Sequence, residues 1–200
     1  MPVPNFPEFF KDAYDKNDIP WDSGQPEPEL IRLIDAGKLP GRTLLEIGCG
    51  TGTNAIELAR RGYAVTAVDY VPKALEQARE KAAKANVKVD FRSADLLANP
   101  NLGGPYDILF DRGVYHSLRL ENMPAFRKTL EAVTRPGSHW YCLAGNAKEQ
   151  TQYGPPRVHE KEFRAELEPL FEILEVREIL LETNKPDFRP LFWSLLMKRR

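Results

Sequence analysis

The sequence has only two cysteines, no long hydrophobic run and almost no net charge. Cys49 and Cys142 are too few for a disulfide framework or a zinc site. No apolar run approaches the roughly 18 residues that a membrane span needs, and the N-terminus lacks a basic segment followed by an apolar one. We therefore expect a soluble, cytoplasmic protein with no membrane partner and no metal site.

The 28 Lys and Arg residues nearly balance the 29 Asp and Glu residues, which leaves a formal net charge of −1. A chain of this kind has no long-range attraction for nucleic acid, so we expect none as a partner. A length of 200 residues, with 42% hydrophobic and 28% charged residues, is ordinary for one globular domain. Disordered, collagenous and coiled-coil classes are excluded, whereas the oligomeric state stays open.

Proline is abundant, with 17 residues grouped at 2–28, 100–105, 155–156 and 186–190. The first 25 residues combine such prolines with five aromatic side chains: Phe6, Phe9, Phe10, Tyr14 and Trp21. Prolines oppose regular structure, whereas so many aromatic side chains are unfavourable in water. We expect residues 1–25 to form a lid segment that packs over a domain spanning 26–200.

Beyond this segment, short apolar runs alternate with segments of helical periodicity. Strands are predicted at 42–48, 63–69, 87–95, 106–113 and 138–145, and two more, 171–182 and 188–200, follow without a helix between them. Helices are predicted at 26–37, 53–62, 71–85, 121–137 and 159–170. This alternation predicts a Rossmann-like α/β fold: a seven-stranded, mostly parallel sheet with helices on both faces and a closing antiparallel hairpin.

Glycine is concentrated where the first strand turns into its helix, in LLEIGCGTG at 44–52. Glycine at such a crossover lets the backbone turn tightly and lets a ligand approach it. The dinucleotide fingerprint needs a glycine or alanine at its sixth position, where Thr53 stands. The spacing is instead G-x-G-x-G, formed by Gly48, Gly50 and Gly52 and preceded by Glu46.

Acidic residues follow the next two predicted strands. Asp69 lies 17 residues beyond Gly52 and can accept hydrogen bonds from both hydroxyls of a ribose. Asp95 follows the third strand. Any one of these acids alone would more often cap a helix or lie in solvent. Their succession at strand ends indicates a nucleotide-binding edge.

This pattern resembles motif I of the class I S-adenosylmethionine (SAM)-dependent methyltransferases, and residues 43–145 match the core of that class. The resemblance implies SAM as the cofactor, with Glu46 at its ammonium group and Asp95 with Leu96 at its adenine. The cofactor-binding residues expected on this basis are Trp21, Glu46, Gly48, Cys49, Gly50, Gly52, Asp69, Tyr70, Asp95, Leu96 and Asp111.

A narrower likeness involves three short segments: PWDSGQPEPEL at 20–30, FDRGVYHSL at 110–118 and GPPRVHEKEF at 154–163. They resemble segments of the thiopurine, thiol and halide S-methyltransferases and their tellurite-resistance-type relatives. The resemblance implies a small-molecule acceptor with a soft nucleophilic atom, such as a thiol, a halide or a metalloid. A soft nucleophile needs little base catalysis, whereas a hydroxyl or an amine generally needs a base.

Residues after the fourth strand are candidates for the acceptor chemistry. His116 is a possible base near neutral pH, and Arg112 either orients an anionic acceptor or only pairs with Asp111. A helix-terminal or surface histidine and a core-anchoring Trp21 are the plainer alternatives. The predicted catalytic residues are His116, Asp111 and Arg112, and the predicted substrate-binding residues are Tyr14, Trp21, Tyr115, His116, Tyr153 and Arg157.

Other functions stay open at this point. The same fold would support O- or N-methylation of a small metabolite. A catalytically silent SAM-binding regulator and an NAD-dependent oxidoreductase are alternatives of other classes. A nucleic acid amino-methyltransferase is disfavoured, because FDRGVYHSL stands where Asn/Asp-Pro-Pro-Tyr/Phe would follow the fourth strand.

Overall fold

One sheet organises the molecule in a computed structural model, which describes residues 6–151, 153–185 and 187–200. Its strands are β1 (Thr43–Ile47), β2 (Ala64–Asp69), β3 (Asp90–Ser93), β4 (Ile108–Arg112), β5 (His139–Gly145), β6 (Phe171–Leu180) and β7 (Leu191–Arg199). Their order is β3-β2-β1-β4-β5-β7-β6. Strands β1 to β5 are parallel, and β7 is antiparallel to β5 and β6. The predicted fold with its closing hairpin is confirmed.

Six helices and a short 3₁₀ helix, Leu96–Ala98, complete the described part of the chain. The helices are α1 (Phe6–Lys16), α2 (Pro28–Asp35), α3 (Thr53–Arg60), α4 (Pro72–Lys84), α5 (Tyr115–Val133) and α6 (Glu160–Leu167). Proline begins α2 and α4, where the missing N–H would lack a helical partner anyway. Every helix in the described ranges is too short or too polar to cross a membrane.

The sheet separates two apolar cores, because successive side chains of a strand point to opposite faces. Leu45 and Leu109 belong to the core under α5 and α6. Their neighbours Leu44 and Phe110 belong to the core under α2, α3 and α4. Strands covered on both faces are apolar throughout, which is why β1, β4 and β5 are recognisable as continuous hydrophobic runs.

The N-terminal segment is more regular than its prolines predicted, since α1 is a helix of 11 residues. Pro7 lies in its first turn, where proline costs the helix no hydrogen bond. Ala13 and Tyr14 pack with Val71 and Ala74 at the start of α4. The described part of the expected lid segment therefore lies against the domain; its residues 1–5 are outside the described ranges.

Helix α5 begins before the predicted residue 121 and contains a break. Asn122 has non-helical angles, φ −160° and ψ 81°. Its side-chain oxygen accepts a hydrogen bond from the Ala125 N–H at 3.1 Å, which caps a second helical run with Pro124 in its first turn. The preceding run from Tyr115 was not indicated by the sequence pattern, and it buries residues that were predicted to face the acceptor.

Candidate functional site

The candidate site lies along the carboxyl edge of the parallel strands. Glu46 is the fourth residue of β1, and Asp69 and Arg112 end β2 and β4. Strand β1 pairs with β2 and with β4, so Ile47 lies opposite Val68 on one side and Asp111 on the other. The topology therefore gathers the acidic residues expected from separate segments at one edge.

The loop that leaves β1 requires its glycines. Gly48, Gly50 and Gly52 have φ values of 65°, 54° and 77°, which disfavour other residues. A Cβ on Gly50 would come within 2.7 Å of the Tyr14 hydroxyl oxygen, and one on Gly48 within 2.2 Å of a Val114 methyl group. The absence of side chains at Gly50 and Gly48 therefore leaves room for the lid segment and for the start of α5, respectively.

Cys49 contributes its backbone rather than its side chain to this loop. The thiol is buried in the core under α2, α3 and α4, and burial raises its pKa. A protonated, buried thiol is a weak nucleophile. The loop N–H groups, by contrast, are ordered: Cys49 N donates to Val68 O, and Gly50 N donates to the Asp69 Oδ2 at 2.8 Å.

Glu46 carries a buried carboxyl group with unused hydrogen-bonding capacity. The Asn54 Nδ2 donates to its Oε1 at 3.3 Å, while its Oε2 has no partner among the described residues. Burial raises the pKa of Glu46 to about 8, although the Asn54 hydrogen bond opposes the shift. A buried carboxyl oxygen without a donor is costly, and an ammonium group would satisfy it.

Asp69 is held in place by the backbone on both sides. Its Oδ2 accepts from Gly50 N, and its Oδ1 accepts from Val71 N at 2.9 Å. Burial raises its pKa. Each carboxylate oxygen has a second lone pair, so the group can also accept hydrogen bonds from a diol. The geometry fits the role that the sequence predicts.

The residues expected at an adenine lie next along the edge. Asp95 is exposed, and its Oδ1 caps the 3₁₀ helix by accepting from Leu97 N at 2.8 Å. Leu96 is buried in the core under α5 and α6. Tyr70 is 36% exposed and donates its hydroxyl hydrogen to the Pro7 carbonyl of α1. Tyr70 therefore ties the lid segment to the end of β2.

Aromatic side chains of the lid segment cover the glycine loop. The Trp21 Nε1 donates to the Tyr14 hydroxyl oxygen at 3.3 Å, and Phe10 meets the Trp21 ring edge-on with centroids 5.3 Å apart. Burial and the nearby Asp69 raise the pKa of Tyr14 far above its ordinary value. Tyr14 is therefore protonated at neutral pH and serves as a neutral hydroxyl above Gly50.

A polar contact joins the segment after Trp21 to the glycine loop. The Thr51 hydroxyl donates to the Asp22 Oδ2 at 2.5 Å, and Lys81 of α4 donates to the Thr51 Oγ1 at 2.5 Å. Burial opposes ionisation of Asp22, but these neighbours and the Gly24 N–H hold its pKa below the ordinary value. The lid segment is thus attached to the loop by an ionised side chain.

Arg112 contacts three segments of the chain at once. Its Nε donates to the Glu27 carboxylate at 2.8 Å, its Nη1 to the Trp21 carbonyl at 2.7 Å and its Nη2 to the Glu182 carbonyl at 2.5 Å. Its pairing partner is Glu27, not Asp111 as one of the two predictions had it. These bonds use three of the five guanidinium N–H donors and fix the group against Glu27, Trp21 and Glu182, which argues against a main role in orienting an anionic acceptor.

Asp111 is fully buried and caps the backbone that follows β4. One carboxylate oxygen accepts from the N–H groups of Gly113 and Val114, both at 3.1 Å. Burial raises its pKa to about 6, and the Cys142 thiol lies beside it in the register of β4 and β5. The Oδ1 oxygen orders the turn into α5, while Oδ2 has no hydrogen-bond partner among the described residues. The catalytic and cofactor-binding roles of Asp111 stay predictions.

His116 and Tyr115 point into the protein. The Nδ1 of His116 accepts from Gly145 N at 2.9 Å, and burial, followed by the charge of Arg119, lowers its pKa to about 3. The neutral ring then carries its proton on Nε2 and has no free lone pair. This argues against His116 as a base. Tyr115 is equally buried and donates to the Glu166 Oε2 at 2.5 Å, which argues against substrate binding.

The two late-loop candidates differ from each other. Tyr153 is 82% exposed. Arg157 donates to the carbonyls of Glu149 and Thr151 and to that of Tyr153. Arg157 therefore shapes the loop after β5 by satisfying its carbonyls, and Tyr153 lies on the surface of that loop.

Four polar residues of this region were not predicted from the sequence: Glu27, Thr51, Asn54 and Lys81. Thr51 and Asn54 lie within and just after the glycine loop, so their position beside the motif was the available signal. Glu27 had a weak local signal, because it precedes Pro28 and caps α2 by accepting from Glu29 N. Its contacts with Asn54 and Arg112, and those of Lys81 with Thr51 and Asp22, join residues that are distant in the chain.

Known proteins resemble this chain in sequence. A family profile described as a methyltransferase domain matches residues 44–137. The 2-heptyl-1-hydroxyquinolin-4(1H)-one methyltransferase of Mycobacteroides abscessus is 28% identical over 173 residues, covering 85% of this chain and 76% of that enzyme. The probable thiol methyltransferase 2 of Arabidopsis thaliana is 27% identical over 168 residues, covering 82% of this chain and 74% of that protein.

The likeness in structure extends further than the profile. One solved structure matches this chain with a TM-score of 0.82 and 26% sequence identity. It comes from work on the conversion of a disulfide bond into a thioacetal group during echinomycin biosynthesis. The match covers 96% of this chain and 92% of that one. The shared architecture therefore reaches well beyond residues 44–137.

Proposed function

We propose that this chain is a class I SAM-dependent methyltransferase of small molecules and that its acceptor reacts through a soft nucleophilic atom, with a thiol as the first choice. SAM supplies a methyl group bound to a positively charged sulfur. Because that charge is lost during transfer, a closed site with little water favours the reaction. The protein would hold the acceptor atom close to the methyl carbon and in line with the bond that breaks.

The charge of the β1–β2 edge supports the cofactor assignment. Glu46 would accept from the ammonium group through its unpartnered Oε2, and Asp69 would accept from the ribose hydroxyls. A dinucleotide would instead bring a pyrophosphate toward the same loop, next to two carboxyl groups. A pyrophosphate offers no donor to the unpartnered Glu46 Oε2, so that oxygen favours SAM over NAD, whereas Asp69 suits the ribose of either.

The lid segment supports a closed reaction site. Tyr14 is buried above Gly50, and Phe10 and Trp21 pack beside it. These aromatic rings would exclude water from the space above the glycine loop. Arg112 and Asp22 hold the same segment from the β4 side and from the loop side.

One observation carries the choice of a soft nucleophile, namely the state of His116. Its Nδ1 is occupied, and its pKa of about 3 keeps the ring neutral at physiological pH. A hydroxyl or amine acceptor would need a base, typically contributing about 10²–10⁴-fold. A thiolate, a halide ion or a reduced metalloid needs none, so a site in which the predicted base is occupied suits such acceptors.

The test is a SAM turnover screen with matched acceptors, in which products are identified by mass spectrometry. Iodide, bisulfide, small thiols, thiopurines and metalloid oxyanions form the soft group, and the hydroxyl and amine analogues of the same thiols form the hard group. We expect the thiols to be methylated faster than their analogues at equal concentration. Faster turnover of the hydroxyl analogues would overturn the proposal. An Asp69→Ala variant serves as the control for cofactor-dependent signal.

A second candidate is O-methylation of a small metabolite, and the likeness to a methyltransferase named for a hydroxyquinolinone favours it. The same screen separates the two, because a hydroxylated heterocycle can be added to the hard group. A silent SAM-binding regulator would bind SAM without forming S-adenosylhomocysteine with any acceptor. A cytoplasmic location is part of the same proposal, since such acceptors and SAM are metabolites of the cell interior.

A further inference from the structure

The side chain of Asn54 connects two segments that are distant in the chain. Its Nδ2 donates to the Glu46 Oε1 at 3.3 Å, and its Oδ1 accepts from the Glu27 backbone N–H at 2.8 Å. The two ends of the amide cannot exchange, because the Glu27 N–H only donates and its partner atom must accept. Asn54 therefore has one orientation, with its donor toward Glu46 at the cofactor edge and its acceptor toward Glu27, two residues beyond the lid segment.

The local position of Asn54 does not explain these contacts. An asparagine at the start of a helix usually accepts from nearby backbone N–H groups. Asn54 is the second residue of α3, yet the residue that caps this helix is Gly52, with no side-chain hydrogen bond. The amide is directed instead to Glu46, on the preceding strand, and to Glu27, which lies 27 residues away.

Glu27 is connected to the lid segment through Arg112. Its carboxylate, only 3% exposed, accepts from the Arg112 Nε at 2.8 Å. The same Arg112 donates to the Trp21 carbonyl. The Glu27 backbone is thus fixed by Asn54, its side chain is fixed by Arg112, and Trp21 is fixed through the same guanidinium group.

The strength of the hydrogen bond from Asn54 Nδ2 to Glu46 Oε1 depends on the charge of Glu46. Burial raises the pKa of Glu46 to about 8, so the free protein holds it largely protonated at neutral pH. An ammonium group at Oε2 would stabilise the carboxylate instead. Hydrogen bonds to an ionised acceptor are roughly twice as strong as neutral ones, and bonds in a chain strengthen one another.

We propose that Asn54 is a positioning residue that couples an ammonium group at Glu46 to closure of the lid segment through the Glu27 backbone. The proposal rests on the cofactor assignment made above, since that ammonium belongs to SAM. It assigns to Asn54 an effect on the lid that depends on the cofactor, beyond a constant contribution to folding.

The experiment measures SAM binding and hydrogen exchange in the full chain. SAM should slow the exchange of backbone amides between residues 19 and 33 in the unmodified protein. In Asn54→Leu, which keeps the size but neither hydrogen bond, SAM should still bind, with a dissociation constant about three- to tenfold higher. The slowing of exchange at 19–33 should be lost. Asn54→Asp, which keeps the acceptor but not the donor, should lose it as well.

Two further variants make the result specific. Glu57→Gln, on the same helix, alters a surface residue that pairs with Arg61 and should leave both measurements unchanged. In a Glu46→Gln background, Asn54→Leu should cause no additional loss of SAM-dependent protection, because the hydrogen bond from Asn54 to an ionised Glu46 is already absent. Should Asn54→Leu fail to fold, Asn54→Ser and Asn54→Asp provide the same comparison.

Three outcomes contradict the proposal. Full SAM-dependent protection in Asn54→Leu would mean that the lid closes without Asn54. An equal increase of exchange with and without SAM would mean a purely structural role. Unchanged SAM binding in Glu46→Gln would overturn the cofactor assignment together with this link. None of these measurements needs an acceptor, so an error in the acceptor class would leave them unaffected.

Discussion

The two halves of the carboxyl edge use their polar side chains in different ways. On the β1–β2 half, the Glu46 Oε2 lacks a partner among the described residues, and Asp69 accepts only from backbone N–H groups. On the β4–β5 half, the side chains of Arg112, Tyr115 and His116 are bonded to other parts of the protein. Among the described residues, Asp111 Oδ2 and Asn146 Nδ2 on the second half also lack a partner. The difference therefore concerns the residues predicted to meet each ligand: those for the cofactor retain hydrogen-bonding capacity, whereas Arg112, Tyr115 and His116 are bonded internally.

This difference follows from what each half would bind. SAM carries fixed hydrogen-bonding groups, so strand-end residues at fixed spacing suit it. A soft acceptor offers few such groups, and its selection depends on the shape and dryness of the space that the lid and loops enclose. Four measurements test this difference between the two halves.

Removal of residues 1–19 should affect catalysis more than any point substitution below. The deletion removes α1 with Tyr14, opens the glycine loop to water and leaves the sheet and its two cores intact. Turnover should fall by at least about 100-fold, because loss of positioning and of a dry site both act on the transition state. Melting temperature and single-turnover rate, measured on the same samples, provide the test.

Normal turnover in the truncated protein would show that the segment does not form part of the site. A collapse of the melting temperature would show instead that α1 is needed for folding. The control is Lys16→Ala, which removes an exposed α1 side chain paired with Asp12 and should change neither measurement.

Asp69→Ala should weaken SAM binding by about 1–3 kcal/mol, since it leaves ribose hydroxyls unpaired in a buried site. Asp90→Ala is a matched control, because Asp90 is an exposed β3 carboxylate that pairs with Arg92. Calorimetry on both folded variants measures the difference. Unchanged affinity in Asp69→Ala would remove Asp69 from the cofactor site.

SAM affinity should depend on pH through Glu46. Burial holds the pKa of Glu46 at about 8 in the free protein, with Asp69 and Arg112 as its charged neighbours. Below that pH the group is protonated, so binding an ammonium must first release the proton. The affinity should therefore rise as pH increases from 6.0 to 7.5, by up to about 25-fold under proton linkage. Glu46→Gln should bind more weakly and show a flat profile, as measured by calorimetry in two buffers.

His116→Gln should have the smallest effect on catalysis. Turnover should decrease by less than about tenfold, in contrast to the 10²–10⁴-fold typical of removing a general base. The pH profile between 5.5 and 8.5 should keep its shape, because His116 has a pKa of about 3 and does not titrate there. A drop beyond a hundredfold, together with loss of a titration near 6.5, would make His116 the base after all.

Much of the cofactor half was predictable because its residues are close to each other in sequence or lie at strand ends. The run from Glu46 to Gly52 spans one turn, and Asp69 ends the next strand. Parallel strands place their carboxyl ends together whatever the loops do. The sheet itself was predictable for a similar reason, since strands covered on both faces are recognisable as apolar runs.

Local patterns were enough to predict the seven strands and the helices α2 to α6 in their order along the chain, the glycine loop and the acids at the strand ends. Helix α1 and three long-range contacts became visible only in the folded chain: Arg112 pairs with Glu27, His116 is buried against Gly145 and Asn54 joins Glu46 to Glu27. These pairs are separated by 85, 29 and 27 residues. Their energies depend on burial and on partners that no local pattern specifies, because both are set only when the chain closes around them.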